Sequence, residues 1–234
     1  MKIFIINPDY GVSRKDMDDR CRILQNFTGP DVFLHMECLR ETKVEINSLS
    51  DVFLAAPEIL QMGCVAEKEG YDAVVLYCFS DPAAEALREK VNIPVIGGAQ
   101  TSLYASLCIS RHVSILLADK SRIPEKRNFL STFGISSERI TSVDAIDFHG
   151  KSIWDNREEA LEELIQKGME MKEKGAECIV LGCLSFLGLA SSVSETIHIP
   201  VIDPAVSAVS MAESMVRQKL SNSKISYPPP YNSI

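Results

Sequence analysis

The sequence predicts an α/β protein of two similar lobes, each a parallel sheet flanked by helices, with the active site in the cleft between them. Three observations predict it. A segment occurs twice, from Gly70 to Ser106 and from Gly175 to Ala212, and a repeat of this length implies two similar βαβ units. Short β-branched runs alternate with stretches of helical periodicity along the chain, the pattern of a parallel sheet with helices on its faces. Aligned from Gly70 and Gly175, the copies put Cys78 opposite Cys183 and Ser80 opposite Ser185. One extra residue in the second copy then brings Ile93-Pro94-Val95-Ile96 opposite Ile199-Pro200-Val201-Ile202.

The elements follow in order. Lys2-Ile3-Phe4-Ile5-Ile6 reads as a buried parallel strand, and Asn7-Pro8-Asp9-Tyr10-Gly11 as the loop after it. Ser13 is the expected N-cap of a helix through Leu24. A strand over Val32–Met36 and a helix over Val52–Lys68, ending near Gly70, come next. Ala73–Tyr77 is the third strand, with Cys78 at its carboxyl end. Asp81-Pro82 should open a helix, Asp81 as N-cap and Pro82 in the first turn. Val95-Ile96 begins a strand, Thr101 or Ser102 a helix, and Val113–Leu117 is a strand again. Asn128–Phe133 is a helix tail stopped by Gly134. The charged helix over Asn156–Lys174 has a solvated face. Cys178–Gly182 is the strand of the second copy, Ala205–Leu220 the last helix. The three prolines near the end exclude helix and central strand there, leaving an extended surface tail. Because the repeat is off-centre, both chain ends complete one lobe: residues 1–96 plus 203–234, against 97–202.

Composition narrows the function. The 234 residues can bury a sizeable core, and 46% hydrophobic with 24% charged residues is ordinary for a globular protein. A net charge of −8 and a pI near 5.1 argue against nucleic acid or an anionic membrane as partner. The opening apolar run is too short for a signal core or a membrane span, and the other apolar runs have strand length. The seven cysteines form no CxxC pair and no zinc-type spacing. The chain therefore reads as cytoplasmic, with free thiols and no metal.

In parallel sheets, ligands bind at the carboxyl ends of strands, beside helix N-termini. Asn7, Cys78, the Leu117-Ala118-Asp119 segment and Cys183 all fall at such ends. A helix N-terminus there would lower a thiol's pKa, and its N–H groups would hold an enolate oxygen. Two cysteines in similar settings, one thiolate and one thiol, can take a proton from one face of a carbon and return one to the other. No cofactor is then needed. Cys21, Cys38, Cys64, Cys108 and Cys178 read as packing residues. His35, His112, His149 and His198 form no ligand-spaced cluster, and His198 reads as a surface residue. Asp119 reads equally as a substrate contact and as a cap.

The chain resembles the aspartate/glutamate/hydantoin racemase superfamily, most closely its hydantoin racemase branch. The resemblance lies in Ile6-Asn7-Pro8-Asp9, in Tyr77-Cys78-Phe79-Ser80-Asp81-Pro82, and in Leu181-Gly182-Cys183-Leu184-Ser185-Phe186. It extends to the two Ile-Pro-Val-Ile connections and the proline-rich tail, and more loosely to Val44-Glu45, Asp51 and Ala55-Ala56-Pro57. It implies cofactor-independent, two-base catalysis by Cys78 and Cys183, with substrate contacts from Asn7, Phe79, Ser80, Leu117, Gly182, Leu184 and Ser185. It also implies a homo-oligomer. The branch has hydroxyl residues where this chain has Tyr10-Gly11 and Leu117-Ala118, and a glycine where it has Ser80. The expected substrate is a 5-substituted hydantoin, allantoin, or an amino acid such as aspartate or glutamate, for which Arg14 and Lys43 are the candidate cations. The alternatives are a cysteine-dependent maleate isomerase or arylmalonate-type decarboxylase, and thirdly a small-molecule binding protein.

Overall fold

A computed structural model describes residues 1–148 and 151–231. The chain divides into two compact units, Met1–Gly98 with Ala208–Ile234, and Ala99–Ser207. Each holds one four-stranded sheet, in which every pair is parallel.

The first unit contains β1 (Lys2–Tyr10), α1 (Arg14–Gln25), β2 (Phe33–Leu39), α2 (Leu49–Lys68), β3 (Ala73–Leu76), α3 (Ala84–Lys90) and β4 (Val95–Gly97), in sheet order β2-β1-β3-β4. Ile3, Ile5 and Ile6 of β1 are fully buried, as expected for a strand covered on both faces. The Ser13 hydroxyl caps α1 by accepting from the Asp16 N–H, and Ser48 caps α2 through the Asp51 N–H.

The structure corrects three sequence expectations. The segment Asn7–Tyr10 is not a loop: β1 continues to Tyr10, which pairs with Leu39 across an irregularity in the ladder. Pro8, which has no N–H, falls in that irregularity, where no donor is required. Secondly, α3 starts at Ala84 rather than beside Asp81, and Ala83, not Asp81, is its cap. The Asp81 N–H closes a turn onto the Cys78 carbonyl at 3.2 Å, and Asp81 and Ala83 take positive φ of 42° and 59°. Thirdly, the next helix, α4 (Gly98–Ile109), starts ahead of Thr101 and Ser102. Ser102 lies inside it, fully buried, and its hydroxyl bonds back to the Ala99 carbonyl. The 20-residue α2 is long and apolar enough by composition to cross a membrane. Ser50, Asp51, Pro57, Glu58 and Gln61 interrupt its apolar residues in sequence. Ala55, Ile59 and Ala66 of α2 join the first unit's core with Leu76 and Leu87.

The second unit takes in most of α4, then β5 (Val113–Leu117), α5 (Ile123–Ser131), β6 (Ile140–Ala145), α6 (Arg157–Glu173), β7 (Cys178–Leu181), α7 (Ala190–Ile197), β8 (Val201–Ile202) and the start of α8 (Pro204–Arg217). Its sheet order is β6-β5-β7-β8, so β5 and β7 hold the places that β1 and β3 hold in the first sheet. In α6 the buried residues Ala160, Leu164, Gly168 and Met171 recur at helical spacing, and the charges face out. Its core gathers Leu116, Ile179, Leu181, Phe186 and Val193.

The tail begins against the first unit. Lys224 donates to the carbonyls of Arg88, Glu89 and Val91 at the end of α3, where a cation complements the helix dipole. Pro228–Pro230 have no regular structure. His149 lies outside the described residues.

Candidate active-site turns

The two cysteines sit on the same local frame. In the first unit the Tyr77 N–H donates to the Ile6 carbonyl at 2.8 Å, extending the β1–β3 ladder by one rung. Cys78 follows, partly exposed, and the Asp81 N–H returns to its carbonyl. In the second unit the Gly182 N–H donates to the Leu116 carbonyl at 2.7 Å; Cys183 follows, also partly exposed, and the Phe186 N–H returns to its carbonyl at 3.2 Å. Each thiol thus leaves the carboxyl end of an inner strand into a tight turn. Neither cysteine adjoins the following α-helix: α3 begins at Ala84 and α7 at Ala190, and Cys183 leads only into the one-turn 3-10 helix Leu184–Phe186. The expectation of a helix N-terminus at each thiol is therefore replaced, for the α-helices, by turn N–H groups, because the residues after each cysteine are spent closing the turn.

The other predicted residues divide by unit. Asn7, buried in β1 one residue past its last rung with β3, accepts from the Asp9 N–H through its Oδ1. It shares the carboxyl end of the first sheet with Cys78, while Phe79 and Ser80 are buried in the turn. In the second unit Leu117 ends β5, buried, and Leu184 is buried in a one-turn 3-10 helix with Ser185 half-buried beside it. Gly182 is required by space. A Cβ there would run into the Leu117 side chain and come within 3.2 Å of the Leu116 carbonyl and 3.3 Å of Ile115.

Three charged side chains with buried groups were not singled out as site residues from the sequence. Asp203 is buried, and its carboxylate accepts from the Gly188, Ala205 and Val206 N–H groups. Burial raises its pKa, against those three donors and the positive charge of Arg157. Asp9 accepts from the Ile46 N–H, and burial likewise raises its pKa, with Arg20 pulling it down. Arg20 itself is a buried cation on α1. An Asp before Pro at a helix start was the available signal for Asp203. Nothing local marks Arg20. The anticipated cations are placed otherwise: Arg14 pairs with Asp18 and Glu37, and Lys43 lies over the Tyr10 ring.

The remaining cysteines and histidines mostly keep structural roles. Burial pushes the Cys21 and Cys178 thiols up to about 11, which keeps them protonated near neutral pH. Cys38 is buried and Cys64 packs on the first unit's core. Cys108 is the correction: it is exposed on the last turn of α4, not packed. His35 contacts Tyr71 and Glu37, His112 contacts Glu177, and His198 is exposed at the end of α7. Asp119 caps the 3-10 turn after β5. Among the described residues no group of three or more His, Cys, Asp or Glu side chains could hold a metal ion.

Comparison with known proteins matches the chain, over residues 21–212, to a family model described as Asp/Glu/Hydantoin racemase. A hydantoin racemase of Rhizobium meliloti is 32% identical over 187 residues, which cover 79% of this chain and 77% of that one. The structure of an allantoin racemase from Klebsiella pneumoniae superposes with a TM-score of 0.91 at 27% identity, over 100% of this chain and 95% of that one. Unliganded arylmalonate decarboxylase superposes with a TM-score of 0.64 at 15% identity, over 92% of each chain; that likeness concerns the fold alone.

Proposed function

The chain belongs to the Asp/Glu/hydantoin racemase family and is an isomerase of the racemase type; on that premise we propose that it racemises a cyclic ureide, a 5-substituted hydantoin or allantoin, with Cys78 and Cys183 as paired acid and base. The observation that carries this reading is the repetition of one partly exposed thiol on the same strand-and-turn frame in both units. One cysteine, as thiolate, removes the proton from the carbon next to the carbonyl. The electron pair moves onto the carbonyl oxygen as an enolate, and turn N–H groups stabilise that oxygen. The other cysteine, as thiol, gives its proton to the opposite face, and the roles reverse for the other enantiomer. Acid–base assistance of this kind contributes roughly 10²–10⁴-fold.

An uncharged ureide is favoured over a free amino acid because a substrate carboxylate calls for an available cation. Arg14 is engaged by carboxylates of its own unit. Leu117 offers an apolar wall where a hydroxyl would offer a donor, so the set of accepted ring substituents is narrowed toward apolar ones. Asn7, Phe79, Ser80, Gly182, Leu184 and Ser185 line the reacting carbon on this reading. The enzyme works in the cytoplasm as a homo-oligomer without cofactor, and neither nucleic acid nor membrane is a partner.

The test is proton exchange followed by NMR in deuterated water. Separate enantiomers of allantoin, 5-benzylhydantoin, 5-isopropylhydantoin, aspartate and glutamate are supplied. Exchange at the α-carbon with decay of optical rotation for a ureide is the expected result. Exchange confined to aspartate or glutamate would move the substrate to an amino acid. Turnover of maleate or an arylmalonate without racemisation would replace the reaction.

A further inference from the structure

In each unit a carboxylate lies between the segment after the cysteine and the end of the last strand, but it comes from opposite sides. In the second unit it belongs to the helix. Asp203 Oδ1 accepts from the Ala205 and Val206 N–H groups at 2.9 and 3.3 Å, capping α8, while Oδ2 accepts from the Gly188 N–H at 2.7 Å. Gly188 lies two residues past Phe186, whose N–H closes the turn that Cys183 opens, and Phe186 is fully buried. The Leu187 carbonyl is held from another side by Arg157 at 2.7 Å. In the first unit the carboxylate belongs to the turn. The position matching Asp203 is Gly97, and any Cβ there would strike the Asp81 carboxyl group. Asp81 takes its positive φ of 42° in the turn that Cys78 opens.

We propose that Asp203 is a positioning residue for Cys183: its outer carboxylate oxygen, through Gly188, sets the turn that orients the thiol. The inference rests on Cys183 being a reacting thiol, and it adds which residue aims that thiol. Asp81 holds the corresponding place for Cys78. The two oxygens of Asp203 have separate partners, so the helix cap and the tether can be separated. In Asp203→Asn the amide oxygen still caps α8, since asparagine caps as well as aspartate. Its NH2 then faces the Gly188 N–H, and two donors cannot bond each other. Asp203→Ser keeps a cap and is too short to reach the turn.

The experiment measures alkylation of each cysteine by iodoacetamide from pH 6 to 10, by peptide mass spectrometry, in wild type, Asp203→Asn and Asp203→Ser. Cys108, exposed, is the reference for reagent access, and Cys178, buried, reports unfolding. The expected result is a change of about tenfold in the Cys183 rate at neutral pH, the size of losing one charge-assisted hydrogen bond. Cys78 and Cys108 should be unchanged and Cys178 protected. Cys183 rates equal to wild type in both variants would overturn the proposal, as would a parallel change in all thiols. Because the readout needs no substrate, failure of the racemase reading would appear in the NMR assay and not here.

Discussion

The two units share one strand order and one cysteine turn, yet they differ in what surrounds the turn. Just past the last rung between the two inner strands, the first unit has the buried amide of Asn7 and the second has the buried isobutyl group of Leu117. Before the cysteine, the first unit has the buried ring of Tyr77 and the second has Gly182, which has no room for a Cβ. The backbone frame was kept while the side chains diverged.

The strongest way to break this comparison is to remove one thiol at a time. Cys78→Ser and Cys183→Ser should each lower racemisation by about 10³-fold, and the double variant should cost little more, since the pair acts as a unit. Retention of activity by either single variant in the optical-rotation assay would end the equivalence of the two turns.

Space comes next. Gly182→Ala should destabilise the protein by about 1–3 kcal/mol through overpacking against Leu117 and β5. Gly97→Ala should cost a similar amount, about 1–3 kcal/mol, by displacing the Asp81 carboxyl group. The second should also alter alkylation of Cys78 and spare Cys183. Thermal denaturation and the alkylation series check both, and a Gly97→Ala protein as stable as wild type would mean that the glycine is not needed for the close approach.

A third pair compares matching glutamates. Glu58 on α2 accepts from the Arg40, Glu41 and Thr42 N–H groups after β2. Its counterpart Glu163 on α6 accepts from the Asp147 N–H after β6, on the exposed surface. Burial raises the Glu58 pKa, but its backbone donors outweigh that, and the net pKa lies below the ordinary 4.5. A lowered native pKa means the unfolded chain binds the proton more readily. The stabilisation is therefore full above pH 4.5 and is lost as the pH falls through the native value. Glu58→Gln should cost about 1–2 kcal/mol at pH 7 and flatten the acid limb of the stability curve. Glu163→Gln should cost under about 1 kcal/mol. Equal losses in urea denaturation at pH 7 would show that the first loop gains nothing from its denser bonding.

The smallest effect belongs to Cys108. Cys108→Ser, on the exposed end of α4, should change stability by less than about 0.5 kcal/mol and leave racemisation intact. A marked loss of activity would assign this thiol a role outside the two turns.

The sequence by itself determined the alternation of strands and helices, the duplication, and the placement of Cys78 and Cys183 just past matched strands. These features depend on local periodicity and on identity between copies, which a linear chain carries openly. Tertiary structure decided the rest. Tyr10 joins β1 because Leu39 offers a partner beyond the break at Pro8. Cys108 is exposed because of the side of α4 on which it falls, and its neighbours in sequence do not specify that side. Gly182 is tight because β5, some 65 positions earlier, supplies Leu117 and the Leu116 carbonyl. Asp203 reaches Gly188 across fifteen residues. In each case the deciding contact joins distant segments, and such contacts exist only once the backbone has folded.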